Sequence, residues 1–224
     1  MSFYSAHPRF YLAVDCIIFG FRDDKISLLL LNRNFEPEKG RCSLMGGFVQ
    51  EDESVDDAAR RVLTELTGLT DIYMEQVGTF GTVDREPDER VVSVAYYALI
   101  NIDDYDHELV KRHNAFWVAM DECPDLIFDH EEMVSKALVR MRGMASEYPI
   151  MFHLLPKEFT LSKLQTLCEA IYDTSLDKRN FRKQVAHTAC IEKVGAIDKS
   201  ESKRGAALYR FNENIFRKTG IFKL

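Results

Sequence analysis

At 224 residues with 46% hydrophobic side chains, the chain is long enough for one sizeable core and a second, smaller one. A formal charge of −7 excludes a uniformly basic nucleic-acid binder. The charge is unevenly spread, however: residues 150–224 hold fourteen Lys and Arg against eight Asp and Glu, net +6, whereas residues 1–149 carry −13. This predicts a basic module joined to an acidic one. The five cysteines are odd in number, scattered and without a Cys-x-x-Cys pair, a pattern that fits reduced thiols in a cytosolic protein better than a disulfide frame or a zinc site. No basic segment followed by a long apolar run opens the sequence, and no stretch approaches a membrane span. The expectation is a cytoplasmic protein with no membrane partner.

Tyr11 to Phe21 is dense in β-branched and aromatic residues, and Lys25 to Arg33 contains the run ISLLLL. Asp23-Asp24 between them reads as a hairpin turn. A helix follows: Ser54 is a good N-cap, Asp57 stands three residues on, and Gly68 ends it. Val55, Ala58, Ala59, Val62, Leu63 and Leu66 recur at helical spacing and give it one apolar face. Val77 to Thr79, Val91 to Ile100 and Ala115 to Met120 are further predicted strands. A second helix is predicted from about Asp129 to Met144, with Met133, Ala137, Leu138 and Met141 inward. Strands flanked by two helices indicate an α/β sandwich ending near Glu147.

The junction YPIMFHLLP, bracketed by Pro149 and Pro156, is apolar enough to predict a packed connection. Beyond it, Thr160 caps a helix through about Tyr172, with Leu161, Leu164, Leu167, Cys168 and Ile171 on one side. Asp177 caps another through about Thr188. Ile191 to Val194, a polar basic loop and Leu208 to Phe211 complete a helix, turn, helix, hairpin order, that of a winged helix-turn-helix. The predicted domains are residues 1–148 and 149–224.

The chemistry concentrates in two places. In "GGFVQEDESVDDAARRVLTELTGL" (46–69), acidic residues precede and occupy a helix, an arrangement that can hold magnesium against a pyrophosphate through hard oxygen ligands. Gly47, Glu53, Arg61, Leu63, Glu65, Gly68 and Leu69 fall in register with the Nudix hydrolase signature, which this stretch closely resembles. The resemblance implies a Nudix-type α/β/α sandwich with a mixed sheet. The Nudix box is degenerate, because two of its three helical carboxylates are replaced by Val62 and Leu66. A single helical carboxylate, even helped by Glu51 or Glu53, holds a magnesium ion poorly. The expectation is therefore no catalytic residue, no metal and no cofactor, with Glu53 and Arg61 bracing the loop against the helix and Glu65 solvated or structurally paired.

In the basic end, Lys178, Arg179, Asn180, Arg182, Lys183 and Gln184 crowd one helix whose Phe181 and Val185 face inward. Arg, Asn and Gln match base edges in the major groove, and Lys and Arg neutralise phosphates. The wing-like loop adds Lys203 and Arg204. The predicted DNA-binding residues are Lys178, Arg179, Asn180, Arg182, Lys183, Lys203 and Arg204.

A degenerate Nudix domain followed by a winged helix resembles the Nudix-related transcriptional regulators of bacteria. The stretches at 84–100, 126–142 and 159–185 extend that resemblance to nearly the whole chain. It implies a homodimer on a two-fold DNA operator, with a small-molecule effector altering affinity. Within the group the resemblance is strongest to the arabinose-responsive branch, which implies L-arabinose as effector and a role in carbohydrate utilisation. Asp15, Asn32, Arg33, Asp84, Arg85 and Tyr97 are the expected effector contacts, being polar or aromatic and placed on strands or loops expected to face the old substrate cleft. The alternatives are an ADP-ribose-sensing regulator of NAD metabolism, an active hydrolase of ADP-ribose or a related nucleoside diphosphate, and a non-catalytic module binding an acidic protein partner.

Overall fold

The structure is a computed structural model describing residues 3–104, 107–199, 205–220 and 222. β1 (Tyr11–Arg22) and β2 (Lys25–Asn32) form the predicted hairpin, and Asp23 and Asp24 between them both have positive φ, 50° and 60°. Two left-handed residues match the right-handed twist of the flanking strands, and Asp tolerates that conformation better than bulky residues do.

β1 is the axis of the larger sheet. It runs parallel to β6 (Val91–Leu99) from Tyr11 to Phe19. Its other edge pairs antiparallel with β4 (Met45–Phe48) at residues 13–16 and with β2 at residues 18–22. β3 (Cys42–Ser43) and β7 (Ala115–Ala119) pair with β2, and β5 (Tyr73–Phe80) pairs with β6, giving a mixed seven-stranded sheet among the described residues.

Both faces are covered. On one side Val14, Cys16, Ile18, Val94, Tyr96 and Ala98 pack with the apolar stripe of α1 (Val55–Thr67). On the other Ile17, Phe19, Ala95, Tyr97 and Leu99 pack with Met133, Ala137 and Met141 of α3 (His130–Glu147). Burial on both faces accounts for the four consecutive leucines Leu28 to Leu31, which a strand with one wet face would alternate with polar residues.

The helix caps fall where the sequence places them. The Ser54 hydroxyl accepts from the Asp57 N–H at 3.1 Å, and Gly68 closes α1 in the left-handed conformation at φ 75°. Thr160 caps α4 (Leu161–Tyr172) through the Lys163 N–H, and Asp177 caps α5 (Lys178–His187) through the Asn180 N–H at 2.8 Å. Each cap is worth about 1 kcal/mol relative to alanine.

A second sheet orders β8 (Phe159–Thr160), β10 (Ala206–Phe211) and β9 (Ile191–Asp198), and α6 (Glu213–Thr219) follows it. The junction is packed, as expected. Ile150, Met151 and Leu154 are buried, Phe152 stacks on Phe211 at 4.5 Å, and His153 stacks on Tyr73 of β5 at 5.0 Å. One apolar cluster continues from the α3 face of the large sheet through this turn into α4 and α5.

Several elements differ from expectation. β3, β4, β8, α6 and the short α2 (His107–Arg112) were not predicted, β5 begins four residues before Val77, and β9 extends beyond Val194. β4 reads MGGF, and two glycines carry little strand propensity; its pairing with β1 is imposed by tertiary context. Among the described residues, no helix is long and apolar enough to cross a membrane.

Candidate functional site

A cleft of about 420 Å³ opens where the helix of the Nudix-like box meets the end of the sheet. Its walls come from α1 (Arg61, Val62, Glu65, Leu66), the glycines of β4, the end of β2 with the following loop, the end of α2, and the start of α3. Gly46 lines the floor because nothing larger fits: an added Cβ would stand 2.5 Å from Asp15 Oδ1 and 2.9 Å from the Val14 carbonyl.

The floor is a buried polar cluster. Asp15 Oδ2 accepts from the Ser93 hydroxyl at 2.6 Å and from Arg85 at 3.4 Å. Arg85, its side chain almost fully buried, also donates twice to Asp129 at 3.0 and 2.7 Å and to Glu86 at 2.9 Å. Burial pushes the Arg85 pKa down, but its hydrogen bonds to Asp129 and the charges of Asp15 and Asp129 outweigh it, leaving the value raised. His130 Nδ1 accepts the Leu44 N–H at 3.1 Å, so its remaining proton sits on Nε2, 3.6 Å from Asp15 Oδ1. Burial lowers the His130 pKa and keeps the ring neutral.

The Nudix-like box holds itself together. Arg61 donates to both carboxylate oxygens of Glu53, at 3.0 and 2.7 Å, and to the Phe48 carbonyl at 3.1 Å, while the Gln50 N–H also reaches Glu53. The Arg61 hydrogen bonds, with that of Gln50, bring the Glu53 carboxyl down to about 2. These two residues brace the loop on the helix, as expected.

Val62 and Leu66 are buried in the apolar cluster under the sheet, and an added Cβ on Gly47 would meet Val62 at 3.1 Å. Glu65 is mostly exposed, 3.7 Å from Arg61. The magnesium implied by the Nudix resemblance does not fit these residues, because two of the three helical oxygen ligands are hydrocarbon and the third stands alone on the rim. Among the described residues, no three His, Cys, Asp or Glu side chains are grouped so as to hold a metal ion.

Of the six predicted effector contacts, Asp15, Asn32 and Arg33 line the cleft; Asp84, Arg85 and Tyr97 do not. Asp84 is exposed on the loop between β5 and β6. Arg85 lies beneath the floor with its donors taken up by Asp129, Glu86 and Asp15. Tyr97 is fully buried on β6, four residues beyond Ser93 of the floor, and its hydroxyl donates to Glu75 at 2.8 Å.

Sequence reasoning missed Phe35, Glu86, Arg112, His113, Phe128 and His130, all of which line the cleft. Arg112 and His113 follow from α2, a six-residue helix with no strong periodic signal. The positive φ of Phe128, 51°, has no sequence signature. His130 was legible only as a helix residue.

The second candidate surface is α5. Phe181 and Val185 are buried against α4, whereas Lys178, Arg179, Asn180, Arg182 and Lys183 are all exposed. None of their side chains pairs with a described residue. The turn before the helix is pinned from α4: Glu169 accepts the Leu176 N–H at 2.8 Å, and Gln165 donates to the Leu176 carbonyl at 2.9 Å. Five polar side chains thus project from a helix with fixed start and orientation. Lys203 and Arg204, the predicted wing contacts, lie outside the described residues.

A Nudix sandwich that keeps one of three helical carboxylates, docked to a winged helix with an exposed basic face, defines a class: DNA-binding transcriptional regulators with a Nudix sensor domain. Residues 9–137 match the NUDIX domain and residues 151–211 the NrtR DNA-binding winged helix domain, and the chain belongs to this NrtR-type Nudix family. It is 33% identical over 211 residues to the ADPR responsive transcriptional repressor of Acinetobacter baylyi, covering 92% of this chain and 84% of that protein. The crystal structure of Shewanella oneidensis NrtR complexed with a 27mer DNA superimposes with a TM-score of 0.81 at 26% identity, over 91% of this chain and 94% of that one. The NUDIX domain of the same protein complexed with ADP ribose matches at 29% identity and TM-score 0.51, over 61% and 92% of the two chains.

Proposed function

We propose that the chain is an ADP-ribose-responsive DNA-binding regulator acting as a homodimer, with residues 1–148 sensing the effector without hydrolysing it and residues 149–224 reading the operator. The observation that carries this reading is the pairing of a Nudix cleft left with one of three helical carboxylates and a winged helix whose basic helix makes no side-chain pair with a described residue. L-arabinose and carbohydrate utilisation give way to ADP-ribose. The full-length relative is named for ADP-ribose response, and the ligand-bound relative of the sensor domain carries ADP ribose. The cleft's chemistry agrees, since Arg33 and Arg112 offer guanidinium groups that a neutral sugar does not need.

In this reading Asp15, Asn32 and Arg33 contact the effector, and Lys178, Arg179, Asn180, Arg182 and Lys183 contact DNA together with Lys203 and Arg204. The test uses DNA selected by the full-length protein from a randomised pool, with binding followed by fluorescence anisotropy. ADP-ribose is expected to change the affinity and L-arabinose to leave it unaltered, while magnesium or manganese yields no AMP from ADP-ribose. An unchanged affinity with ADP-ribose, or steady AMP release, defeats the corresponding half of the reading.

A further inference from the structure

The cleft's charged groups divide into those already satisfied by the protein and those that are not. Arg61 is committed to Glu53, Arg85 to Asp129, Asp15 and Glu86, and Asp15 to Ser93 and Arg85. Arg33 is different. Its Nε donates to the Pro37 carbonyl at 2.8 Å, and its guanidinium lies on the Phe35 ring, 4.1 Å from the centroid. Its two terminal nitrogens make no hydrogen bond to a described residue. Arg112, exposed at the end of α2, and the adjacent His113 are likewise without a described partner. The acidic side chain left on the rim without a full partner is Glu65, 3.7 Å from Arg61.

We propose that this cleft binds the diphosphate of a nucleoside diphosphate without a metal ion, with Arg33 and Arg112 taking the place of magnesium. The proposal rests on the ADP-ribose reading above and specifies how that effector is held. A diphosphate entering a half-buried cleft must have its charge neutralised. In a hydrolase the helical carboxylates do so through a cation, whereas Val62 and Leu66 can ligate none. Guanidinium forks match phosphate oxygens bidentately and remain charged at every relevant pH. Arg33 is pre-set for this: stacking on Phe35 and the bond to Pro37 fix the plane of the fork and leave its outer edge free. Burial pulls the Arg33 pKa down against the opposing charges of Glu86, Asp15, Glu38 and Glu36, none of which forms a hydrogen bond with it.

The same arrangement reverses the role of Glu65. As a metal ligand it would aid binding; beside phosphates held by arginine it repels them. The experiment is calorimetric titration of the full-length protein with ADP-ribose, once in EDTA and once in excess magnesium. Affinities agreeing within about threefold are expected. Arg112→Gln is expected to weaken binding at least about tenfold in EDTA, the loss of one charge-assisted contact. Glu65→Gln is expected to tighten binding. Binding that requires magnesium, or that weakens in Glu65→Gln, overturns metal-free recognition and leaves the sensing reading intact. The magnesium arms use no substitution and so decide the matter even if a variant folds poorly. Failure of ADP-ribose to bind in either buffer overturns the sensing reading, and this inference with it.

Discussion

Arg85 is a cation beside the cleft, and its donors are taken up by the protein itself. Its guanidinium spans Asp15 on β1 and Asp129 at the start of α3, joining the sheet to the helix packed on its face. Removing it strands the carboxylates of Asp15, Glu86 and Asp129 in a poorly hydrated place, so Arg85→Met is expected to cost about 3–5 kcal/mol of stability in urea unfolding. A loss below about 1 kcal/mol would mean that the cluster is better hydrated than its burial indicates. Glu53 carries a different signature. Its folded-state pKa of about 2 lies below the ordinary 4.5, so its stabilising contribution is complete above about 4.5 and is lost as pH falls towards 2. Glu53→Gln should therefore flatten the acid limb of the stability curve between those values. Parallel limbs for the variant and the unaltered protein would sink that assignment.

Elements whose ends are set by local chemistry were readable in advance. Ser54, Gly68, Thr160 and Asp177 act within their own turn, so their caps stand in the structure where the sequence implies them. β4 and α2 were not readable, because Gly46 and Gly47 become strand only by pairing with β1 and α2 spans fewer than two turns. The cleft was half legible for a similar reason. Asp15, Asn32 and Arg33 belong to strong strand signals near the Nudix-like box, whereas the fates of Arg85 and Tyr97 depend on which groups lie across the sheet. α5 was the most legible element, since its two buried residues and its cap fix which side chains are left outside. Replacing Arg179 or Arg182 by Ala is expected to cost about 1–3 kcal/mol of operator affinity and to relax base preference if the arginine reads a guanine edge. Replacing Lys183 should weaken all sequences alike and lower the salt slope by about one. Unchanged operator binding in the combined Arg179, Arg182 and Lys183 alanine variant would rule α5 out as the reading helix.

At the scale of the molecule, α3 is the physical link between cleft and winged helix. Its first residue, His130, lines the cleft, and its eighteen residues span about 27 Å before the packed 150–154 turn. Near its far end Arg142 donates to the Ile171 carbonyl of α4 at 2.6 Å, and Arg140 donates to Glu75 at 3.0 Å. Glu75 in turn accepts from Tyr73, whose ring stacks on His153 in the turn. A shift of α3 on effector binding would thus act on the seat of the DNA-binding helices through contacts at both the turn and α4. Coupling of this kind is a free energy, equal in size whether read as the effect of ADP-ribose on DNA or of DNA on ADP-ribose. Arg142→Ala removes the contact with α4 while touching neither proposed ligand site. It is expected to change the ratio of operator affinities with and without ADP-ribose by a factor equivalent to about 0.5–2 kcal/mol, with ADP-ribose affinity for the DNA-free protein little altered. Anisotropy titrations with and without ADP-ribose, on matched full-length proteins, measure that ratio. A ratio equal to that of the unaltered protein would show that the signal does not pass from α3 to α4 at this contact.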